Sequence, residues 1–282
     1  MRQYPRKTVA IILLTFVILF ATLLPVKAYA GESIRIGGTG SGLGTMKLLV
    51  AAFERKNPGI RIKIMPSVGS SGAIKAVAQG ALDIGLIGRP LNETELKLGL
   101  SVIEYARTPF VFVAGRQVPV KDISTRELIN IYKGERRTWP NGERIRVVLR
   151  PATDVDTTLA RTISPEMSAA LDMALAREGM VIAMTNQECH EVIERTPGSL
   201  GFSSLTQVMT ERQRVKLLSY NGVAPSAGSL VRGAYPLVKT LSLVIQPEPP
   251  SAIRRFIDFV RSAEGRRILE QTGNVPLKMA IR

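Results

Sequence analysis

Residues 60–88 read IRIKIMPSVGSSGAIKAVAQGALDIGLIG, and their pattern decides the class of the fold. "IRIKIM" alternates apolar and polar, the period of a half-buried strand. A Gly/Ser run, "VGSSGA", follows. "AIKAVA" then places Ile74, Val77 and Ala78 on one side of a helix, and "DIGLIG" is a short apolar strand. Strand, turn, helix, strand is the repeating unit of an α/β fold with mostly parallel sheets.

The same alternation extends outward in both directions. "SIRIGG" (33–38) reads as a first strand and "GTGSGLGT" (38–45) as a glycine-rich turn. "MKLLVAAFERKNPG" (46–59) carries Met46, Leu49, Val50 and Phe53 at helical spacing and stops at Asn57-Pro58-Gly59. "TPFVFVAG" (108–115) is nearly all apolar, as a strand buried on both faces should be. Ser124 and Glu127 have capping-box spacing for a helix that ends at Gly134. "RIRVVLR" is a strand ending at Arg150. Residues 165–177 and 186–196 are predicted helices, "SLGFSS" and "RVKLLSY" predicted strands, and residues 224–236 a predicted loop. "LVKTLSLVIQ" (237–246) is a strand. A helix pair follows with Ile253, Phe256, Ile257 and Val260 facing inward.

The first 30 residues have the form of an export signal. Arg2, Arg6 and Lys7 precede nineteen uncharged residues (8–26), and Ala28-Tyr29-Ala30 is a small-x-small cleavage pattern. The expected mature chain starts at Gly31 and is periplasmic or secreted. The alternative is an uncleaved anchor. No cysteine near the junction suggests a lipid anchor. The whole chain carries 38 basic and 23 acidic residues, net +15, and the signal region holds four of the basic ones, leaving +11. That excess favours anionic partners. Nucleic acid is not expected, because aromatics make up only 5% and offer no stacking platform. A single cysteine, Cys189, excludes an intrachain disulfide. Cys189, His190 and Glu191 are contiguous and point to different helix faces, so no metal site or cofactor is expected. Trp139 reads as a packing anchor.

Two junctions are candidates to carry the chemistry. "GGTGSGLGT" (37–45) and "VGSSGA" (68–73) both follow a strand and open a helix. The first N–H groups of a helix lack internal partners, and the backbone dipoles add partial positive charge there. Glycine permits close approach, and serine adds donors, so each junction can cradle an anion. Each can equally be an ordinary cap. Nucleotide-binding glycine motifs do not fit, since residue 43 is leucine. Arg150, at a strand end before Pro151, and Arg89, after another strand, are candidate oxyanion clamps. Asp154, Asp156 and Thr157 can cap the helix that follows Arg150. Without a nucleophile–base pair, catalysis is not expected.

Taken in order, these segments resemble the phosphate-binding, periplasmic type of substrate-binding protein that feeds ABC transporters. The resemblance runs through "GTGSGLGTM", "FERKNPGIRIKIMPSVGSSGAIKAVAQGALDIGLIGRPL", "ISTRELINIYKGERRTWPNG", "VVLRPATDVDTT", "VIERTPGSLGFSSL" and "YPLVKTLSLVIQ…FIDFVRSAEGRRILEQTGNVPL". It implies a two-lobed, type II α/β fold with mixed, mostly parallel sheets, flanking helices and a ligand cleft between the lobes. It places lobe I at 31–109 and 236–282 and lobe II at 110–235, with chain crossings near 108–112 and 235–238. Carried over by position, Ser41, Gly42, Leu43 and Ser70 supply donors and Arg150 clamps the anion; Ser71, next to Ser70, is a further candidate ligand. The position where phosphate binders usually offer an aspartate is Gly88, followed by Arg89. Their Ser-Gly-Thr cradle is replaced by Asp154, Val155 and Asp156, with Thr157 next. The implied ligand is a small oxyanion, phosphate first, handed by a monomeric carrier to an ABC permease. A different polar or organic anion, or a sensory or scaffold role, stands as the alternative.

Overall fold

The structure, a computed structural model, describes residues 32–211 and 214–277. The expected export signal lies outside them. The strands are β1 (Glu32–Gly38), β2 (Ile60–Ile64), β3 (Ile84–Ile87), β4 (Ser101–Gly115), β5 (Asp122–Ile123), β6 (Arg146–Leu149), β7 (Val181–Ile182), β8 (Ser199–Ser204), β9 (Val215–Leu217), β10 (Ser219–Tyr220), β11 (Val238–Ile245) and β12 (Val275–Pro276). The helices are α1 (Gly40–Lys56), α2 (Gly69–Ala78), α3 (Glu93–Leu96), α4 (Thr125–Lys133), α5 (Val155–Arg161), α6 (Pro165–Ala176), α7 (Asn186–Arg195), α8 (Leu205–Thr210), α9 (Ala227–Val231), α10 (Ser251–Arg261) and α11 (Ala263–Gln271).

The principal sheet runs in the order β2-β1-β3-β11-β4-β8-β6-β7. β1 pairs in parallel with β2 and β3, and β6 in parallel with β7 and β8. Between these two parallel groups lie β11 and β4, antiparallel to each other and to their outer neighbours β3 and β8. The result is a two-lobed α/β fold in which the two middle strands belong to both halves. One apolar core gathers Phe110–Ala114, the faces of α4 and α6, and Phe202, Tyr220 and Tyr235. Another gathers Ile34, Ile36, the inner face of α1, Ile103, Tyr105, Ala106, Leu241, Leu243, Ile245 and the inner face of α10. A smaller cluster packs Ile74 and Val77 of α2 under β3. β4 leaves one core after Ala106 and enters the other at Phe110. Beside it, Val238 pairs with Pro109 and Lys239 with Thr108.

Most predicted elements form where expected. Met46, Leu49, Val50 and Phe53 are all buried, as are Ile253, Phe256, Ile257 and Val260. Ser124 and Glu127 make the reciprocal capping box, and Gly134 closes α4 at φ 83°. Trp139 is buried, with its indole N–H on Gly198 O at 3.0 Å.

Five readings change. "RVKLLSY" is not one strand: β9 pairs with β4, and β10 pairs with β5 in a separate two-stranded sheet. "GTGSGLGT" is not a turn: α1 begins at Gly40, so the glycines form its first turns. Gly40 and Gly44 are needed for packing. A Cβ at Gly40 would meet Gln187 Oε1 at 2.5 Å, and one at Gly44 would meet Thr210 Oγ1 at 2.1 Å. β4 starts seven residues earlier than expected, at Ser101, because pairing with β11 extends it. Residues 227–231 form α9 within the predicted loop, capped by Ser226 and Ser229. Ala78 is exposed, and Ala73 takes its place on the buried face of α2.

Candidate functional site between the two cores

The N-terminal turns of α1, α2, α5 and α7 meet beside the start of β11. From α1 comes Ser41, fully buried, whose hydroxyl accepts a hydrogen bond from Lys239 Nζ at 2.7 Å. Ser70 of α2 accepts from Gly88 N–H at 3.0 Å, which ties the end of β3 to the same place. From α5 comes Asp156, fully buried and ion-paired with Lys239 Nζ. Asn186, first residue of α7, donates to the other oxygen of Asp156 at 2.6 Å.

Arg150 forms the second charged pair. Only 3% exposed, it donates to Asp154 Oδ2 at 2.7 Å and to Ala183 O at 2.5 Å. Asp154 caps α5 by accepting from Asp156 N–H at 2.9 Å. Arg150 Nε is buried without a partner among the described residues. Beside this group an open cavity of about 310 Å³ is lined by Ser67–Ser71, Pro151, Thr153–Val155, Met184 and Thr185.

Charge is balanced pair by pair. Burial alone would raise the Asp156 carboxyl, but the Lys239 ammonium outweighs it, helped by Arg150 and Asn186, so Asp156 is held below the usual carboxylate range. Asp154 goes the other way: burial and the Asp156 charge push it up against the pull of Arg150 and Lys239. Two cations and two carboxylates thus share a space where water is scarce and Coulomb interactions are strong.

Not every expected site residue joins them. Leu43 turns its side chain into the core, and Gly42 N–H is taken by Thr39 O at 3.3 Å. Thr157 donates its hydroxyl to Arg150 O at 3.2 Å, fixing the strand end. Arg89 is held by both oxygens of Glu95, at 2.6 and 2.7 Å, and by Ser71 Oγ at 2.8 Å. Ser41, Ser70, Arg150, Asp154 and Asp156 do converge. Lys239 and Asn186 are additions that the sequence reading did not single out. One signal for Lys239 was available: a cation one residue past the expected crossing at 235–238. A larger concavity, about 480 Å³, is lined by Lys133, Arg136, Arg137, Arg144, Arg146 and Arg177 but by none of these helix tips. Arg146 and Arg177 there already serve backbone carbonyls.

Cys189 and His190 lie on α7 itself, buried, and their hydrogen bonds go to Phe202 O and Ser203 Oγ of β8 rather than to this cluster. Burial pushes the Cys189 thiol up to about 12, an inert side chain. His190 Nε2 is 2.5 Å from Ser203 Oγ. No group of acidic, histidine or cysteine residues among the described residues is arranged to hold a metal ion.

Helix tips converging where two middle strands cross between two α/β halves is the architecture of a periplasmic binding protein. A sequence profile of the PBP superfamily domain matches residues 25–264. This chain belongs to the PBP superfamily. Among PBP relatives, the phosphate-binding protein PstS of Bacillus subtilis (strain 168) is 28% identical over 249 residues, covering 84% of this chain and 79% of that protein. The phosphate-binding protein PstS of Borreliella burgdorferi is 21% identical, covering 95% and 99%. A crystal structure of a putative phosphate ABC transporter substrate-binding protein with bound phosphate, from Clostridium perfringens, superposes with a TM-score of 0.75 at 23% identity. It covers 88% of this PBP chain and all of that one. At that identity the likeness speaks for the fold.

Proposed function

We propose that this protein captures a small oxyanion, phosphate first, at the place where Ser41, Ser70, Lys239 and Arg150 converge, and delivers it to an ABC permease. The observation that carries this reading is the meeting of four helix N-termini around two buried cations. Each helix tip contributes about 0.3–1 kcal/mol toward an anion, more when partly buried. The names of the Bacillus and Borreliella relatives support the same ligand class. Binding and release need no bond to be made or broken, so the protein is a carrier and not an enzyme.

In this reading residues 1–30 direct export and are removed after Ala30, and the mature protein works as a periplasmic or secreted monomer. Lobe I comprises 31–109 and 236–282, and lobe II 110–235. The division of the cores at Ala106/Phe110 and Leu237/Leu241 supports it. The lobes open and close about the paired residues Thr108 and Lys239.

A second reading rests on the cavity mouth. Val68 and Met184 line it and are 53% and 65% exposed. Two apolar groups there suit an oxyanion carrying a short organic substituent.

Titration calorimetry with phosphate, sulfate and small organic phosphates tests both. The first reading expects binding of inorganic phosphate that weakens by roughly 2–5 kcal/mol in Arg150→Ala, which leaves its buried partners unpaired. Unchanged affinity would remove Arg150 from the site. No binding of any oxyanion would reject the carrier role, and binding of organic phosphates alone would select the second reading.

A further inference from the structure

We propose that the Asp156 carboxylate is a resident anion in the oxyanion place, and that a ligand binds by taking Lys239 away from it. This rests on the oxyanion reading above.

Three observations carry it. First, Lys239 is 1% exposed and its ammonium stands between the Ser41 hydroxyl, 2.7 Å away, and Asp156. It therefore joins an element of one core to an element of the other. Second, residue 88 has no side chain where Lys239 passes: a Cβ there would lie 2.8 Å from Lys239 Cε and 3.7 Å from Nζ. The end of β3 thus offers the ligand no carboxylate. It leaves room for a cation. Third, Asp156 receives the donors an oxyanion would seek. The ammonium holds one oxygen, the Asn186 amide donates to the other at 2.6 Å, and the carboxylate stands in the first turn of α5.

The charge consequence is direct. Asp154 already matches Arg150, and Asp156 already matches Lys239. An incoming anion adds uncompensated negative charge in a poorly solvated site unless the displaced carboxylate swings out to solvent or takes up a proton. The competition is intramolecular, so Asp156 acts at high effective concentration. A ligand that wins must offer more than a carboxylate does. A tetrahedral oxyanion can, because it presents oxygens to Lys239, Asn186 and Arg150 together. The inferred ligand class is a multiply charged tetrahedral oxyanion, with simple monocarboxylates excluded. The native affinity is set low by the resident group.

The test is calorimetry with inorganic phosphate on the wild-type protein, Asp156→Asn and Asp156→Asn/Lys239→Met, together with a crystal structure of the wild type in saturating phosphate. Asparagine keeps the shape and the contact to Asn186 while removing the competing charge. The expected result is binding roughly tenfold or more tighter in Asp156→Asn, lost again in the double variant. In the crystal, Lys239 Nζ is expected on a phosphate oxygen and off Asp156. The inference is overturned if Asp156→Asn binds phosphate no more tightly than the wild type. It is equally overturned if bound phosphate leaves the Lys239–Asp156 contact intact. In both cases the wild-type affinity still upholds the oxyanion reading. If neither the wild type nor Asp156→Asn binds any oxyanion, inorganic or organic, both ideas fall. Should Asp156→Asn not fold, the wild-type crystal decides alone.

Discussion

A Cβ on Gly88 would stand 2.8 Å from Lys239 Cε, so residues 88 and 239 claim one space. A lysine stem usually gives way at little cost. This one is buried, and its Nζ is fixed by Ser41 and Asp156. Gly88→Ala is therefore expected to destabilise the fold by roughly 1–3 kcal/mol, as overpacked cores do. In a Lys239→Ala background the same change is expected to cost little, and a double-mutant cycle from urea unfolding reads the coupling. Full stability of Gly88→Ala alone would show that Lys239 has room to move.

Lys239→Met leaves the Asp156 carboxylate buried without its cation. The expected loss is roughly 3–5 kcal/mol, since an unpaired buried charge is worse than no charge. Adding Asp156→Asn should recover most of it, because the remaining amide can share its hydrogen bonds with Asn186. Guanidinium unfolding of the two variants checks this. Equal losses in both would place the stabilisation in the lysine stem's packing and not in the ion pair.

His190 makes stability depend on pH. Burial lowers its pKa from 6.5 to about 4 in the fold. Below pH 6.5 the unfolded chain takes up a proton that the folded chain refuses, so stability falls as pH drops from about 6.5 to 4. The accumulated loss is on the order of 3 kcal/mol. Asp156, held low, contributes stability above the ordinary carboxylate pKa and loses it only as pH falls through its own lower value. Asp154, held high, acts in the opposite sense. Comparing urea midpoints of wild type and His190→Gln at pH 7, 5.5 and 4.5 isolates the histidine. Parallel curves would assign the pH dependence elsewhere.

Gly44→Ala tests the contact between α1 and α8. Its Cβ would fall 2.1 Å from Thr210 Oγ1 and 2.7 Å from Thr210 Cβ. The helices would have to part, for roughly 1–3 kcal/mol. Gly59→Ala is the control: nothing lies within 4 Å of its Cβ. It should change stability by less than about 0.5 kcal/mol. Thermal unfolding compares the two, and equal melting temperatures would show that α8 yields freely.

Much of the fold was legible in the chain itself. The alternation at 60–64, the helical spacing of Met46, Leu49, Val50 and Phe53, and the Ser124/Glu127 cap are local patterns, and local geometry obeys them. The glycines of residues 38–45 were legible as important but not for what. A glycine that admits an anion and one that admits Thr210 look alike until the neighbouring helix is placed. Of the site, the two Gly/Ser junctions and Arg150 were legible from their positions between strand and helix, and the family resemblance picked out Ser41 and Ser70 within those junctions. Asp156 read as a possible cap, yet the cap is Asp154.

The sequence alone determined the order of strands and helices, because the periods of 2 and 3.6 residues and the caps act over a few residues. Tertiary structure alone decided what the buried charges face. Lys239 lies 198 residues from Ser41 and 83 from Asp156, and no local period links them. They meet because β11 crosses beside β4 between the two cores, and a buried ammonium at that crossing needs a carboxylate within reach.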